Sequence, residues 1–164
     1  MRRVLLLPVL VILLTGCGGS GGGDDDRRAA TPTPAPLPTE PVEIAAEWAK
    51  AVRANDLDRA SALFALPAVV SNGTPLMQLA SRPDVRIFNS SFPCGALLLR
   101  AKTLSGGRVL ATYTLTERPG APVPCGSGVG GRVGVLFTIK AGKITRWIRA
   151  NPESGPARTP TPEV

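Results

Sequence analysis

The 164-residue chain has no histidine, one tyrosine and two tryptophans, and its acids are the minority charge, 12 against 19 lysines and arginines. Without an imidazole, general-base chemistry rests on a carboxylate whose burial brings its pKa toward neutrality. Across the four main strands expected below, the only acid is Glu117, at a strand end beside Arg118-Pro119-Gly120, where a solvated turn residue is the plain reading. Aromatics make up 4% of the chain and form no arginine/aromatic cluster of the kind that stacks bases, so nucleic acid is not an expected partner. Long apolar runs are missing too. The run at 4–14 is too short to span a bilayer stably. Residues 126–131 spell G-x-G-x-x-G, but they follow Pro124-Cys125 and lead into a strand. With no helix N-terminus to hold a pyrophosphate the motif reads as a hairpin loop, and no cofactor or metal is expected.

The chain opens with Arg2 and Arg3, the apolar run, then Leu14-Thr15-Gly16-Cys17, the parts of a bacterial secretion signal. The tetrapeptide resembles the lipobox of bacterial lipoproteins, which implies cleavage of a signal peptide at 1–16 and acylation of Cys17. Two or three acyl chains, at about 0.8 kcal/mol per buried methylene, anchor stably where one does not; the expected location is the outer, extracytoplasmic face of the cell membrane. Residues 17–38 hold a glycine run, Asp24-Asp25-Asp26 and alternating Thr, Pro and Ala. With almost nothing to bury they read as a disordered tether with a reach of about 25 Å. Residues 153–164 have the same character. What remains, 39–152, suits one small domain with one core. Removing Arg2 and Arg3 leaves 17 basic residues against 12 acidic, and 40–150 alone holds 14 against 7. That excess is a solvated basic surface or one drawn to anionic headgroups or wall polymers.

The domain opens with helices. Pro41 introduces 42–54, where Ile44, Trp48 and Val52 recur every fourth residue. Asn55-Asp56 stops it, and Asp56 or Asp58 caps a second helix that carries Ala60, Leu63 and Phe64 inward, up to Pro67. A short strand at 68–71 ends at Asn72-Gly73. Thr74-Pro75 predicts a helix over 76–80, and Ser81-Arg82-Pro83-Asp84 restarts one through Phe88. Four strands follow in a meander: 96–103, 108–117 with Val109, Ala111, Tyr113 and Leu115 on one face, 133–139, and 143–149 after the Ala141-Gly142 turn. On the last, Ile144 and Ile148 share a face with Arg146 while Thr145, Trp147 and Arg149 lie opposite. Burying either arginine unpaired is costly, so one face reaches solvent or an anion. Once Cys17 is acylated, Cys94 and Cys125 remain in an oxidising compartment and are expected to pair. Asn72-Gly73-Thr74 and Asn89-Ser90-Ser91 fit a glycosylation sequon, a weak signal in a bacterial chain.

Three helical pieces, a short strand and a four-stranded meander resemble the NTF2-like superfamily, in particular its SnoaL-like branch. The residues that carry the resemblance are Ile44-Ala45-Ala46-Glu47-Trp48, Asn55-Asp56-Leu57-Asp58 with Ala62-Leu63-Phe64, and Gly142-Lys143-Ile144-Thr145-Arg146-Trp147. The resemblance implies an α+β cone, with N-terminal helices packed on a curved, mainly antiparallel sheet of four to five strands. It implies too that Trp147 and Arg149 face the cavity, and makes Trp48, Tyr113, Trp147 and Arg149 the candidate ligand pocket. In epoxide-hydrolase-like members a tryptophan of the last strand is followed two residues later by a catalytic aspartate; here that position is Arg149. Asp84 is a candidate base at the pocket mouth, though helix capping already accounts for it. The expected function is a non-catalytic domain that binds a small apolar ligand or an envelope protein partner, with a homodimer open. The alternatives are a SnoaL-like isomerase or cyclase acting without histidine, and a purely structural interaction module.

Overall fold

The computed structural model describes residues 35–152; the expected signal peptide at 1–16, the expected acylation site Cys17, the stretch up to residue 34 and the stretch at 153–164 lie outside the described residues. Helix α1 (Pro41–Arg53) starts at a proline and buries Ile44, Ala45, Trp48, Ala49, Ala51 and Val52, the arc that fourfold spacing dictates. Asn55 then takes a left-handed φ of 58° and turns the chain. Helix α2 (Leu57–Ala62) begins where the Asp56 carboxylate accepts from Arg59 N at 3.0 Å. Helix α3 (Arg82–Ser90) carries a full capping box: Ser81 Oγ accepts from Asp84 N, and the Asp84 carboxylate accepts from Ser81 N. Packing starts before residue 39, because Leu37 lies against the core and the Arg59 guanidinium donates to Ala35 O and Pro36 O.

Six strands form one mixed sheet in the order β2 (Met77–Leu79), β1 (Phe64–Ser71), β6 (Lys143–Ala150), β5 (Arg132–Lys140), β4 (Arg108–Thr116), β3 (Gly95–Leu104). Only β1 and β6 run parallel. Helix α1 lies across β3 and β4, and α2 packs on α3. The covered face presents Val109, Ala111 and Tyr113 from β4, Val135, Phe137 and Ile139 from β5, and Ile144 and Trp147 from β6. On the other face the register places Arg100, Lys102, Arg108, Arg132, Lys140 and Arg146, all exposed. Strands β3 to β6 contain no acid to offset them.

The α+β arrangement is as expected, with three differences. The sheet has six strands rather than four to five, because residues 77–79, expected as part of a helix, pair antiparallel with β1 through Ala68↔Leu79 and Val70↔Met77. A single turn of helix at 76–80 has too little length to stabilise itself, and Ser71 Oγ donates to Thr74 O, closing the connection to β1. Helix α2 ends at Ala62 instead of running toward Pro67, since Ile144 N captures Leu63 O at 2.9 Å and Phe64 pairs with Ile144. The third difference settles the two faces of β6. The register slips between Thr138 and Ile139, so that Ile139 opposes Ile144 but Thr138 opposes Arg146. Thr145 is therefore an extra residue, its hydroxyl donating to Thr138 O at 3.0 Å, and the bulge turns both Ile144 and Trp147 inward while Arg146 faces solvent.

Candidate functional site

Trp48, on α1, stands at the centre of an aromatic cluster whose other members come from the sheet and the end of α3. Its ring lies 5.8 Å from Phe92, 6.0 Å from Tyr113, 5.6 Å from Phe137 and 5.5 Å from Trp147, centroid to centroid. Edge-to-face and tilted contacts at these separations suit ring quadrupoles better than stacked faces. Two of the three polar ring tips are already engaged. Trp48 Nε1 donates to Asn89 Oδ1 at 2.9 Å, and Tyr113 Oη donates to Ala45 O at 3.0 Å. Burial holds the Tyr113 hydroxyl well above its ordinary pKa, so it stays protonated.

Between this cluster and the sheet lies a cavity of about 140 Å³, and all four candidate pocket residues, Trp48, Tyr113, Trp147 and Arg149, line it. Val52, Leu115, Val133 and Val135 supply apolar wall, Asn72 stands among the lining residues, and Arg149 is the one ionisable side chain of the lining besides Tyr113. Among the described residues no carboxylate lines the cavity. Tyr113 contributes ring surface rather than a free hydroxyl, because its proton is committed to the α1 carbonyl. Trp147 is different: its side chain is 3% exposed, and Nε1 is buried with no acceptor among the described residues. Arg149 follows two residues later on the same face of the strand and is exposed.

The other candidate acids fall elsewhere. Asp84 accepts from Ser81 N at 2.9 Å and Ala80 N at 3.1 Å. The Ser81 hydroxyl first, and then these backbone donors, hold its pKa below the ordinary value, opposite to what a base poised near neutrality needs. Glu117 is exposed and accepts from Cys125 N at 3.3 Å. Residues 126–128 form a short 3-10 turn that leads into β5 rather than an α-helix. Asn89 is fully buried against Trp48, which leaves no room for a glycan there. Among the described residues no group of His, Cys, Asp and Glu gathers to hold a metal.

Two structural supports surround the cavity. Cys94 and Cys125 are joined as expected, tying the start of β3 to the loop after β4, and Cys94 contributes to the lining. Gly128 packs on this bridge so closely that a Cβ there would lie 3.1 and 3.2 Å from the two sulfurs. The second support, Arg118, is missed by sequence reasoning, which sees a turn at Arg118-Pro119-Gly120. The side chain is 4% exposed and has no acidic partner among the described residues. Its Nη1 donates to Asn89 O at 3.1 Å and Phe92 O at 2.6 Å, and its Nη2 to Asn55 Oδ1 at 2.7 Å. Desolvation lowers its pKa from the usual guanidinium value, while the carbonyls at the C-terminal end of α3 offer the negative pole that suits a cation. The only trace in sequence is the pairing of Asn55 with Gly120, where a Cβ would meet Asn55 Nδ2 at 2.6 Å.

No protein-family model matches the chain, and no curated protein matches it. Solved structures do. A protein named as a ketosteroid isomerase from Kribbella flavida is 16% identical with a TM-score of 0.51, covering 71% of this chain and 80% of its own. A protein named as a polyketide cyclase from Pseudomonas putida is 18% identical, TM-score 0.50, covering 69% and 92%. An NTF2-like protein of unknown function from Cytophaga hutchinsonii is 10% identical, TM-score 0.53, covering 72% and 93%. At such identities the likeness is one of architecture, and the fold of this chain is that of NTF2-like proteins, a fold it shares with a protein named as a polyketide cyclase and one named as a ketosteroid isomerase.

Proposed function

We propose that residues 39–152 form a non-catalytic receptor domain for a small apolar ligand, carried at the outer face of the cell membrane by a lipid anchor at Cys17. The observation that carries the binding half is the apolar cavity lined by Trp48 and Trp147, which no carboxylate lines among the described residues and for which the chain has no histidine to offer. Among the described residues proton transfer there has no base, whereas apolar burial needs none. A thermal-shift screen of small apolar molecules tests it. A ligand present at a hundred times its Kd stabilises the folded state by about 2.7 kcal/mol, and Val133→Trp, which fills the cavity from its wall, removes the shift while retaining the fold. Equal shifts for both proteins would place binding elsewhere. The anchor rests on the sequence at 1–17. Cys17→Ala is expected to release the exported protein from the membrane fraction; retention of the variant there would refute acylation at this residue.

An enzymatic reading has one support, the fold shared with a protein named as a polyketide cyclase and one named as a ketosteroid isomerase. It requires that changing Asp84 or Tyr113 abolish an activity with the fold intact. The receptor reading instead makes ligand uptake sensitive to Trp48, Trp147 and Arg149. An interaction module, docking an envelope protein or a second copy, would use exposed apolar residues such as Leu97 and Leu99 on the edge strand β3, and predicts that the cavity stays empty.

A further inference from the structure

Charge in this domain is segregated by layer. Of the seven acids within 40–150, six stand on the helices or at their N-caps, from Glu40 to Asp84, and the seventh, Glu117, follows β4. Among the described residues the ion pairs, Lys50–Glu47, Arg59–Glu47 and Arg86–Asp58, all lie in that helix layer. The outer face of the sheet is the opposite case. Its six cations, Arg100, Lys102, Arg108, Arg132, Lys140 and Arg146, are exposed, and none has an ion-pair partner among the described residues. Arg100 and Arg108 donate to neutral oxygens of Pro152 and Ser105. Like charges on neighbouring strands repel, a cost that an anionic partner relieves.

The layout of the cations says what kind of partner fits. Along β5, Arg132 and Lys140 are eight residues apart, about 27 Å at the rise of a strand, and the four strands together span about 14 Å. Between the cations the face presents Leu110, Leu136 and Ile148, uncharged and half-buried. Charges spread in this way do not converge on one anion. They match an array of headgroups, where each cation brought within a Debye length of the surface adds its own attraction.

We propose that the outer face of the sheet is a docking surface for an anionic lipid bilayer, with the helix layer and its acids turned away from it. The face lies across the sheet from the cavity, so this inference goes beyond the receptor reading and stands or falls apart from it. Co-sedimentation with phosphatidylcholine vesicles, with and without about one third phosphatidylglycerol, tests it on the full chain bearing Cys17→Ala, which excludes acylation. Whatever residues 1–34 add is common to every protein compared. The chain is expected to prefer the anionic vesicles and to lose that preference as salt rises. Lys102→Gln with Lys140→Gln, both at exposed positions, lowers affinity for the anionic vesicles about thirtyfold, at about fivefold per surface cation. Lys50→Gln with Arg86→Gln, an equal change of charge in the helix layer, alters it less than about threefold. Equal losses from the two pairs, or no loss from the sheet pair, overturn the docking surface. Tighter binding to soluble polyphosphate than to the vesicles, at equal phosphate concentration, overturns the bilayer as partner in favour of a wall polymer.

Discussion

Arg118 holds together parts of the chain that are far apart in sequence: the end of α1 through Asn55, and the end of α3 through Asn89 and Phe92. Since Phe92 lines the cavity, Arg118 positions wall it does not touch. Arg118→Met strands the buried Asn89 carbonyl and the part-buried Phe92 carbonyl, each worth about 1–3 kcal/mol unsatisfied, and a loss near 3 kcal/mol in urea denaturation is expected; a loss under about 1 kcal/mol would show those carbonyls reaching water. Tyr113 carries the opposite expectation. Its hydroxyl makes one neutral bond to Ala45 O, so Tyr113→Phe costs about 1 kcal/mol and leaves ligand uptake intact, where a catalytic tyrosine would abolish function. Burial raises this hydroxyl's pKa. The stability it contributes is therefore complete below the ordinary tyrosine range near pH 10 and is lost as pH rises from there toward the folded-state value. As the chain has no other tyrosine, alkaline denaturation curves of wild type and Tyr113→Phe should converge above about pH 10; parallel curves would contradict a desolvated hydroxyl.

At the scale of elements, the capping box is the most local of the signals, and its energy is the easiest to isolate. Ser81→Ala removes the acceptor for Asp84 N and is expected to cost about 1 kcal/mol in chemical denaturation; no change would mean that α3 is held by packing alone. Such local chemistry is what a sequence displays. Pro41 and the fourfold spacing of Ile44, Trp48 and Val52 announce α1, Ser81 to Asp84 announce α3, and the threonine alternation announces β4. What stays hidden depends on a partner distant in the chain. Strand β2 exists because β1 offers its edge, and α2 stops because β6 takes the Leu63 carbonyl. The Thr145 bulge is invisible to a period-two pattern, which is why Ile144 and Trp147 read as opposite faces though both are buried. The four pocket residues were legible through family resemblance, their convergence on one cavity being a matter of this bulge and of α1's position. The free indole N–H and the buried Arg118 were not, since hydrogen-bond satisfaction is a property of the assembled core.

At the scale of the whole molecule, the disulfide bounds both the fold and the cavity. It closes a sequence separation of 31 residues, worth about 3.5–4 kcal/mol in the chain-entropy model, a large share of a small domain's stability. Reduction is expected to lower the melting temperature by many degrees and, because Cys94 lines the cavity, to weaken ligand retention as well; an unchanged melting curve in reductant would contradict the assigned role. The exposed sheet face, with six cations and no acid on its four neighbouring strands, opposes stacking of two copies face to face and favours anionic surroundings. All of this frames one central claim, that the cavity beneath α1 exists to be occupied. Native mass spectrometry of the protein, gently purified with its disulfide intact, tests it most directly. An added mass on the order of 100–200 Da, the size a cavity of this volume admits, is the predicted result, and its loss in Val133→Trp would locate it. A bare protein mass, unchanged when small apolar molecules are added, would contradict it.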